Sequence, residues 1–144
     1  VKWSNLQADG STQHDQNYSD TDFPVFRLAE IYLTRAEAKY RLNGSQDGLA
    51  DIKLVQDRAN RALDLQATSV DNQTLIDEWC REFFMEGRRR SDLVRFGLFS
   101  GSKYLWSFKG GVPNGAGIES HFDIYPIPGN ETKNNPYMTQ NPKY

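Results

Sequence analysis

Apolar residues recur at helical spacing through the middle of the chain and lose that order at both ends. Across residues 24–42, Leu28, Ile31, Ala38 and Leu42 fall on one stripe, and Ala29, Leu33, Ala36 and Tyr40 on the next. Glu30, Thr34, Glu37 and Arg41 mark the polar face. Two adjacent stripes predict a helix packed on more than one neighbour. Arg35 falls inside the first stripe and so needs a carboxylate or carbonyl partner. Pro24 suits a helix start, and Asn43-Gly44 suits a stop. A second helix starts near residues 45–47 and runs to about Leu63, with Leu49, Ile52, Val55, Ala59 and Ala62 at helical spacing. The short link predicts antiparallel neighbours, a pair similar to one tetratricopeptide-like unit.

The pattern predicts a third helix over residues 74–85, with Asp71 or Thr74 as its cap. Leu75, Ile76, Trp79, Cys80, Phe83 and Phe84 make its aromatic-rich stripe. Gly87 ends or kinks it, and a short fourth helix follows from Ser91 to about Phe96, closed by Gly97. Outside this region the periodicity is lost. Residues 1–23 read as a polar loop with at most a short strand near Trp3. Residues 98–116 read as a loop with Gly-Gly and Asn-Gly turns, anchored by Tyr104, Leu105, Trp106 and Phe108. In the tail, Pro126, Pro128, Pro136 and Pro142 bar a helix or central strand from running through. Ile124, Tyr125, Ile127, Tyr137 and Met138 give that coil something to bury. The fold class is all-α: tetratricopeptide-like helix pairs with long irregular loops and a coil C-terminal tail.

Composition narrows the functional classes. The 144 residues are 38% hydrophobic and 25% charged, which fits one globular domain. Net charge is −2, with no basic block beyond Arg88-Arg89-Arg90, which argues against a nucleic-acid partner. No apolar run reaches the length of a membrane span. Val1 follows no initiating Met or signal sequence and is read as the start of a fragment or a mature chain. Cys80 is the one cysteine, so neither an intrachain disulfide nor a zinc cluster is expected, and it reads as a buried, inert thiol. The spacing Asp15-x-Asn17-x-Ser19-Asp20 suggests a calcium loop, but Asp20 stands where the turn glycine belongs and Phe26 where the bidentate Glu belongs. A solvated loop is the reading, with no metal site.

Glu82 and Glu86 sit one turn apart on the predicted third helix. A glycosidase would use such a pair as acid and nucleophile. Side chains on one straight helix do not flank a scissile bond, so the pair is read as structural, bonded to Arg89, Arg90, Arg95 or Arg35. Asp92 joins that set of ion pairs. Glu86 in particular is expected to be buried against an arginine. Trp3, Trp106 and Phe108 are the aromatic candidates for stacking on a sugar ring, and pinning loops to the core is their other use.

Four segments resemble the SusD/RagB family of nutrient-binding lipoproteins of the Bacteroidetes cell surface. Residues 78–97, EWCREFFMEGRRRSDLVRFG, resemble the pattern ER-x-x-EF-x-x-EG-x-R-x-x-DL-x-R-x-G, with Trp79 where Arg is usual and Arg90 where an aromatic is usual. Residues 135–144, NPYMTQNPKY, resemble NP-x-x-x-QNPGY, with Lys143 in place of Gly. Residues 27–38 resemble RLAE-x-YL-x-x-AEA, and residues 109–115, KGGVPNG, a loop of close relatives of the starch-binding member. Family members are much longer, so the resemblance implies that residues 1–144 form the C-terminal segment of a larger protein. That segment divides into a loop (1–23), a helical part (24–97) and irregular loops and tail (98–144). The lipid-attachment Cys and the N-terminal helical repeats would lie upstream, with most of the glycan platform.

The resemblance further implies an outer-membrane surface lipoprotein that captures an oligosaccharide or other nutrient without chemistry or cofactor. Its partner would be a TonB-dependent outer-membrane transporter. Two alternatives remain at this point: a tetratricopeptide-like protein-interaction module and a glycoside hydrolase.

Overall fold

The computed structural model describes residues 6, 7, 9–15, 17, 18, 20 and 22–144. Five α-helices carry it: α1 (Leu28–Asn43), α2 (Leu49–Arg58), α3 (Asn72–Glu82), α4 (Arg89–Arg95) and α5 (Gly129–Asn134). Among the described residues there is no strand, only isolated bridges such as Gly101 to Ile118. Among the described residues no helix is long and apolar enough to cross a membrane. The chain divides into two compact units, residues 1–31 and 32–144. In the first, the 7–11 turn closes through Gln7 N–H on Ser11 O at 3.0 Å, and His14 N–H donates to Asp20 at 2.8 Å.

Packing, rather than Pro24, sets the start of α1. The helix opens four residues later than expected, because Val25 and Phe26 remain exposed and residues with nothing to bury against gain little from a helix. Its buried face is Ala29, Leu33 and Ala36. The Leu28, Ile31 and Leu42 stripe is exposed, so α1 buries one stripe and not two. Glu37, placed by spacing on the polar face, is buried.

α1 and α2 run antiparallel. Lys39 reaches Asp47 O at the start of the second arm, and Arg35, one turn earlier, reaches Asp51, one turn later. The helices approach so closely that a Cβ on Gly48 would lie 2.8 Å from the Ala36 backbone. α2 ends at Arg58 rather than near Leu63. Asn60 takes a left-handed φ of 52°, and Arg61 N–H bonds back to Gln56 O at 3.0 Å, a helix-terminating turn. Ala59 and Ala62 consequently lie exposed, outside the interface.

Asp71 caps α3, accepting Thr74 N–H at 2.6 Å. The helix buries Leu75, Ile76 and Trp79, and Phe83 follows them into the core with Ile52, Val55, Val70 and Leu93. Cys80 is half-buried rather than buried, and Phe84 is exposed. α3 stops at Glu82 because Met85 and Gly87 take φ of 62° and 75°. After α4, Leu98 N–H returns to Leu93 O at 2.8 Å across left-handed Gly97.

The tail is ordered by side-chain amides. Gln140 accepts Ile127 N–H at 2.7 Å and donates to Ile127 O at 2.8 Å. Asn141 donates to Tyr125 O at 2.7 Å, and the Tyr144 hydroxyl to Ile124 O at 2.8 Å. α5 fits between Pro128 and Pro136, so the prolines bracket a short helix where pure coil was expected. Ile124, Tyr125 and Tyr137 are exposed, against the expectation of burial; Ile127 and Met138 are half-buried.

Candidate functional site

The charged residues of the helical part are largely consumed by structure. Glu37 accepts Arg41 Nε at 2.6 Å, Trp79 Nε1 at 3.0 Å and Arg95 Nη1. Arg95 also holds buried Asp92 at 2.7 Å. Asp51 takes Arg35 Nε at 3.0 Å and Lys39 at 3.2 Å, and the Arg35 hydrogen bond holds its carboxyl below the usual carboxylate range against the opposing effect of burial. Glu78 is held by Gln56 at 2.6 Å and Arg81 at 2.9 Å.

Arg58 grips both oxygens of Glu82 at 2.7 and 2.9 Å; this partner differs from the arginines expected for it. Glu86 is buried, but it lies in the 83–87 turn beyond α3. Glu82 and Glu86 therefore share no helix edge. Arg89, expected in an ion pair, bonds neutral acceptors: Ile76 O at 3.1 Å and the Tyr104 hydroxyl at 2.8 Å.

Above α4 the loops enclose an aromatic cavity of about 350 Å³, lined by Arg89, Arg90, Leu93, Phe99, Tyr104 and Trp106. Trp106 stands 5.9 Å from Tyr104 and 6.1 Å from Phe99 between ring centroids, both tilted. Such an arc offers curved apolar faces with polar tips. A second cavity of about 440 Å³ lies next to it, sharing Arg90 and Phe99 and walled by Phe122, Tyr125 and Tyr144. Arg90 forms the common wall. Its guanidinium lies 3.8 Å from the Tyr125 ring centroid and 4.8 Å from that of Phe99, and it donates to Phe122 O at 2.6 Å.

Buried Lys109 fixes the loop that carries Trp106. Its ammonium donates to Tyr104 O at 2.6 Å and lies 4.6 Å from the Trp106 ring centroid. Burial lowers its pKa, and Asp123 opposes that shift. The loop closes tightly: a Cβ on Gly115 would meet Trp106 O at 2.5 Å.

Of the aromatic candidates from sequence, Trp106 lines the first cavity. Phe108 does not; it is 69% exposed at the loop apex with a left-handed φ of 66°. Trp3 lies outside the described residues. Sequence spacing missed Phe99, Tyr104, Lys109 and Tyr125, which come together only through the fold. The one available signal was Arg90, standing where an aromatic is usual. Among the described residues no group of three or more His, Cys, Asp or Glu side chains is arranged to hold a metal.

The sequence model of the SusD family matches residues 1–144. The chain belongs to the SusD family. It is 52% identical over 144 residues to the starch-binding protein SusD of Bacteroides thetaiotaomicron, covering 100% of this chain and 25% of that protein. It is 31% identical over 141 residues to the SusD-like protein P25 of Formosa agariphila, covering 94% of this chain and 26% of that protein. The SusD-family chain thus spans about a quarter of the length of these relatives. A crystal structure of a SusD-like protein from Bacteroides fragilis superimposes with a TM-score of 0.71 at 19% identity, over 99% of this chain and 30% of that one. That likeness establishes the helical, tetratricopeptide-like SusD fold.

Proposed function

We propose that this SusD-family chain is part of a cell-surface lipoprotein of the outer membrane that captures oligosaccharide and passes it, intact, to a TonB-dependent transporter. The observation that carries the reading is 52% identity, across every residue of the chain, to a protein named for starch binding. The family likeness supports the transporter and the surface location. The disposition of carboxylates supports binding without chemistry: Glu37, Asp51, Glu78, Glu82 and Asp92 are each bound to a guanidinium or ammonium. A general acid or nucleophile needs a carboxylate free to meet substrate.

In this reading residues 24–97 are mainly scaffold. They present the aromatic loops and complete the helical core, and the C-terminal segment contributes less affinity than the upstream chain. Titration calorimetry of the full-length protein and of residues 1–144 with the same maltooligosaccharides tests it. Micromolar to millimolar binding by the full-length protein and much weaker binding by the segment is expected. Equal, tight binding by the segment would place the main site here, and release of shorter sugars would overturn the non-enzymatic reading.

A further inference from the structure

We propose that the cavity between Arg89, Arg90, Tyr104 and Trp106 is a subsite for an acidic sugar, one bearing a carboxylate on its ring. The inference rests on the glycan-capture reading above and adds to it a ligand class and a place.

Arg35, Arg41, Arg58, Arg61, Arg81 and Arg95 each reach a carboxylate within 4.0 Å. Arg89 and Arg90 reach none among the described residues. Arg89 donates to a carbonyl and a phenol, and Arg90 to a carbonyl. A guanidinium has five N–H donors and no acceptor, so both keep donors in hand beside the cavity. Lys109 adds a third cation behind the Trp106 ring. Of the acidic groups nearby, Asp92 is bound by Arg95; Asp123 accepts from Ser100 at 2.8 Å through Oδ2 and opposes the lowering of the Lys109 pKa by burial, while its Oδ1 is buried without a hydrogen-bond partner. Two adjacent cations without counter-ions, in a chain of net charge −2, leave a local positive field that an anion would satisfy.

Shape supplies the rest. The cavity, about 350 Å³, lies in the range of small-ligand sites and suits one sugar ring rather than a helix or a polypeptide strand. Phe99, Tyr104 and Trp106 offer faces for the C–H side of a pyranose, and the tilt between them makes the wall concave. A phosphate or sulfate ion would satisfy the charge and leave the aromatic wall idle. A neutral sugar would use the wall and leave the arginines unmatched. A uronic acid ring uses both. Arginine suits the task because its planar fork meets a carboxylate with two parallel hydrogen bonds.

The test compares three sugars of equal length on the full-length protein: tetragalacturonate, its methyl ester and maltotetraose. Calorimetry at low and high salt reads affinity, and 5-fluorotryptophan labelling, with Trp106→Phe to assign the resonance, reads location. Tetragalacturonate is expected to bind about tenfold or more tighter than its ester, the worth of one hydrogen bond to a charged group. The preference should shrink as salt rises and in Arg90→Gln, and the Trp106 resonance should move. Arg90→Lys keeps the charge without the fork and should recover part of the preference. The contrast between acid and ester is made on the unaltered protein, so it stands even where a variant loosens the tail. Equal affinity for acid and ester, or an unmoved Trp106 resonance, overturns the inference. Binding of maltotetraose alone overturns it and leaves the proposed function standing, whereas failure of every glycan to bind removes both.

Discussion

The indole N–H of Trp79 donates to Glu37 at 3.0 Å, joining α3 to α1 across 42 residues of sequence. Trp79 stands where the family pattern has arginine, and the bond shows what the position requires: a donor aimed at a buried carboxylate. The indole supplies it, and Arg88 and Arg95 flank the ring at 4.6 and 5.2 Å. Removing Glu37 would strand the indole N–H and leave Arg95 with Asp92 alone. Glu37→Ala is expected to destabilise the protein by about 3–5 kcal/mol in urea unfolding, and Glu37→Gln by less, because the amide still accepts the indole proton. Equal losses in the two variants would show that the charge, not the acceptor, is what the site needs.

Glu86 offers a parallel case outside a helix. It is 8% exposed in the turn after α3, where an uncompensated carboxylate or its stranded partner would be costly. Glu86→Ala should cost about 3 kcal/mol or more by the same unfolding measurement. A change under about 0.5 kcal/mol, the ordinary surface value, would contradict its structural role.

Asp51 makes stability pH-dependent in a defined direction. The hydrogen bond from Arg35 holds its folded-state pKa below the ordinary carboxylate value, so the ionised form is favoured in the fold. Its contribution is present in full above the unfolded pKa, about 3.9, and fades as pH falls through the lower, folded value. Denaturation midpoints measured between about pH 6 and pH 3 should fall more steeply for the unaltered protein than for Asp51→Asn. Parallel curves would remove Asp51 from the account.

Lys143 occupies a glycine position of the family tail, and its φ of 71° shows why glycine is usual there. The left-handed conformation costs an L-residue about 1–2 kcal/mol, and the Lys143–Glu119 pair, exposed on both sides, returns little of it. Lys143→Gly should therefore stabilise the tail by about 1 kcal/mol net of the entropy of the unfolded chain. A destabilised variant would mean that the ion pair outweighs the backbone strain.

Gln140 pins the tail by pairing both amide groups with Ile127. Gln140→Leu keeps the volume and loses both bonds to Ile127, and a third that Gln140 accepts from Asn141 N–H at 2.9 Å, for an expected loss of about 1–3 kcal/mol. Hydrogen exchange at Ile127 N–H should quicken with it, and unchanged protection there would contradict the pairing.

How much of this was legible in the sequence depended on range. The helices were legible because their signals are local: the stripe of Leu75, Ile76, Trp79 and Phe83, and the Asp71 cap. Periodicity could not tell which of two adjacent stripes on α1 faces inward. Glu37 looked solvated because its partner Arg95 lies 58 residues away. The end of α2 turned on Asn60 adopting a left-handed φ, which Asn does only where the fold rewards it. The cavity was illegible for the same reason as Glu37. Its walls come from α4 and the loop after it, and Tyr125 and Tyr144 join through Arg90 from the tail. Trp106 was nameable from its setting in a glycine-rich loop, but its neighbours were not.

The central claim is capture of a glycan without turnover, and equilibrium dialysis of the full-length protein against end-labelled oligosaccharides tests it most directly, with the retained sugar sized by chromatography. Saturable retention at unchanged chain length is the predicted result. No retention of any sugar, or retention of shortened products, would contradict it.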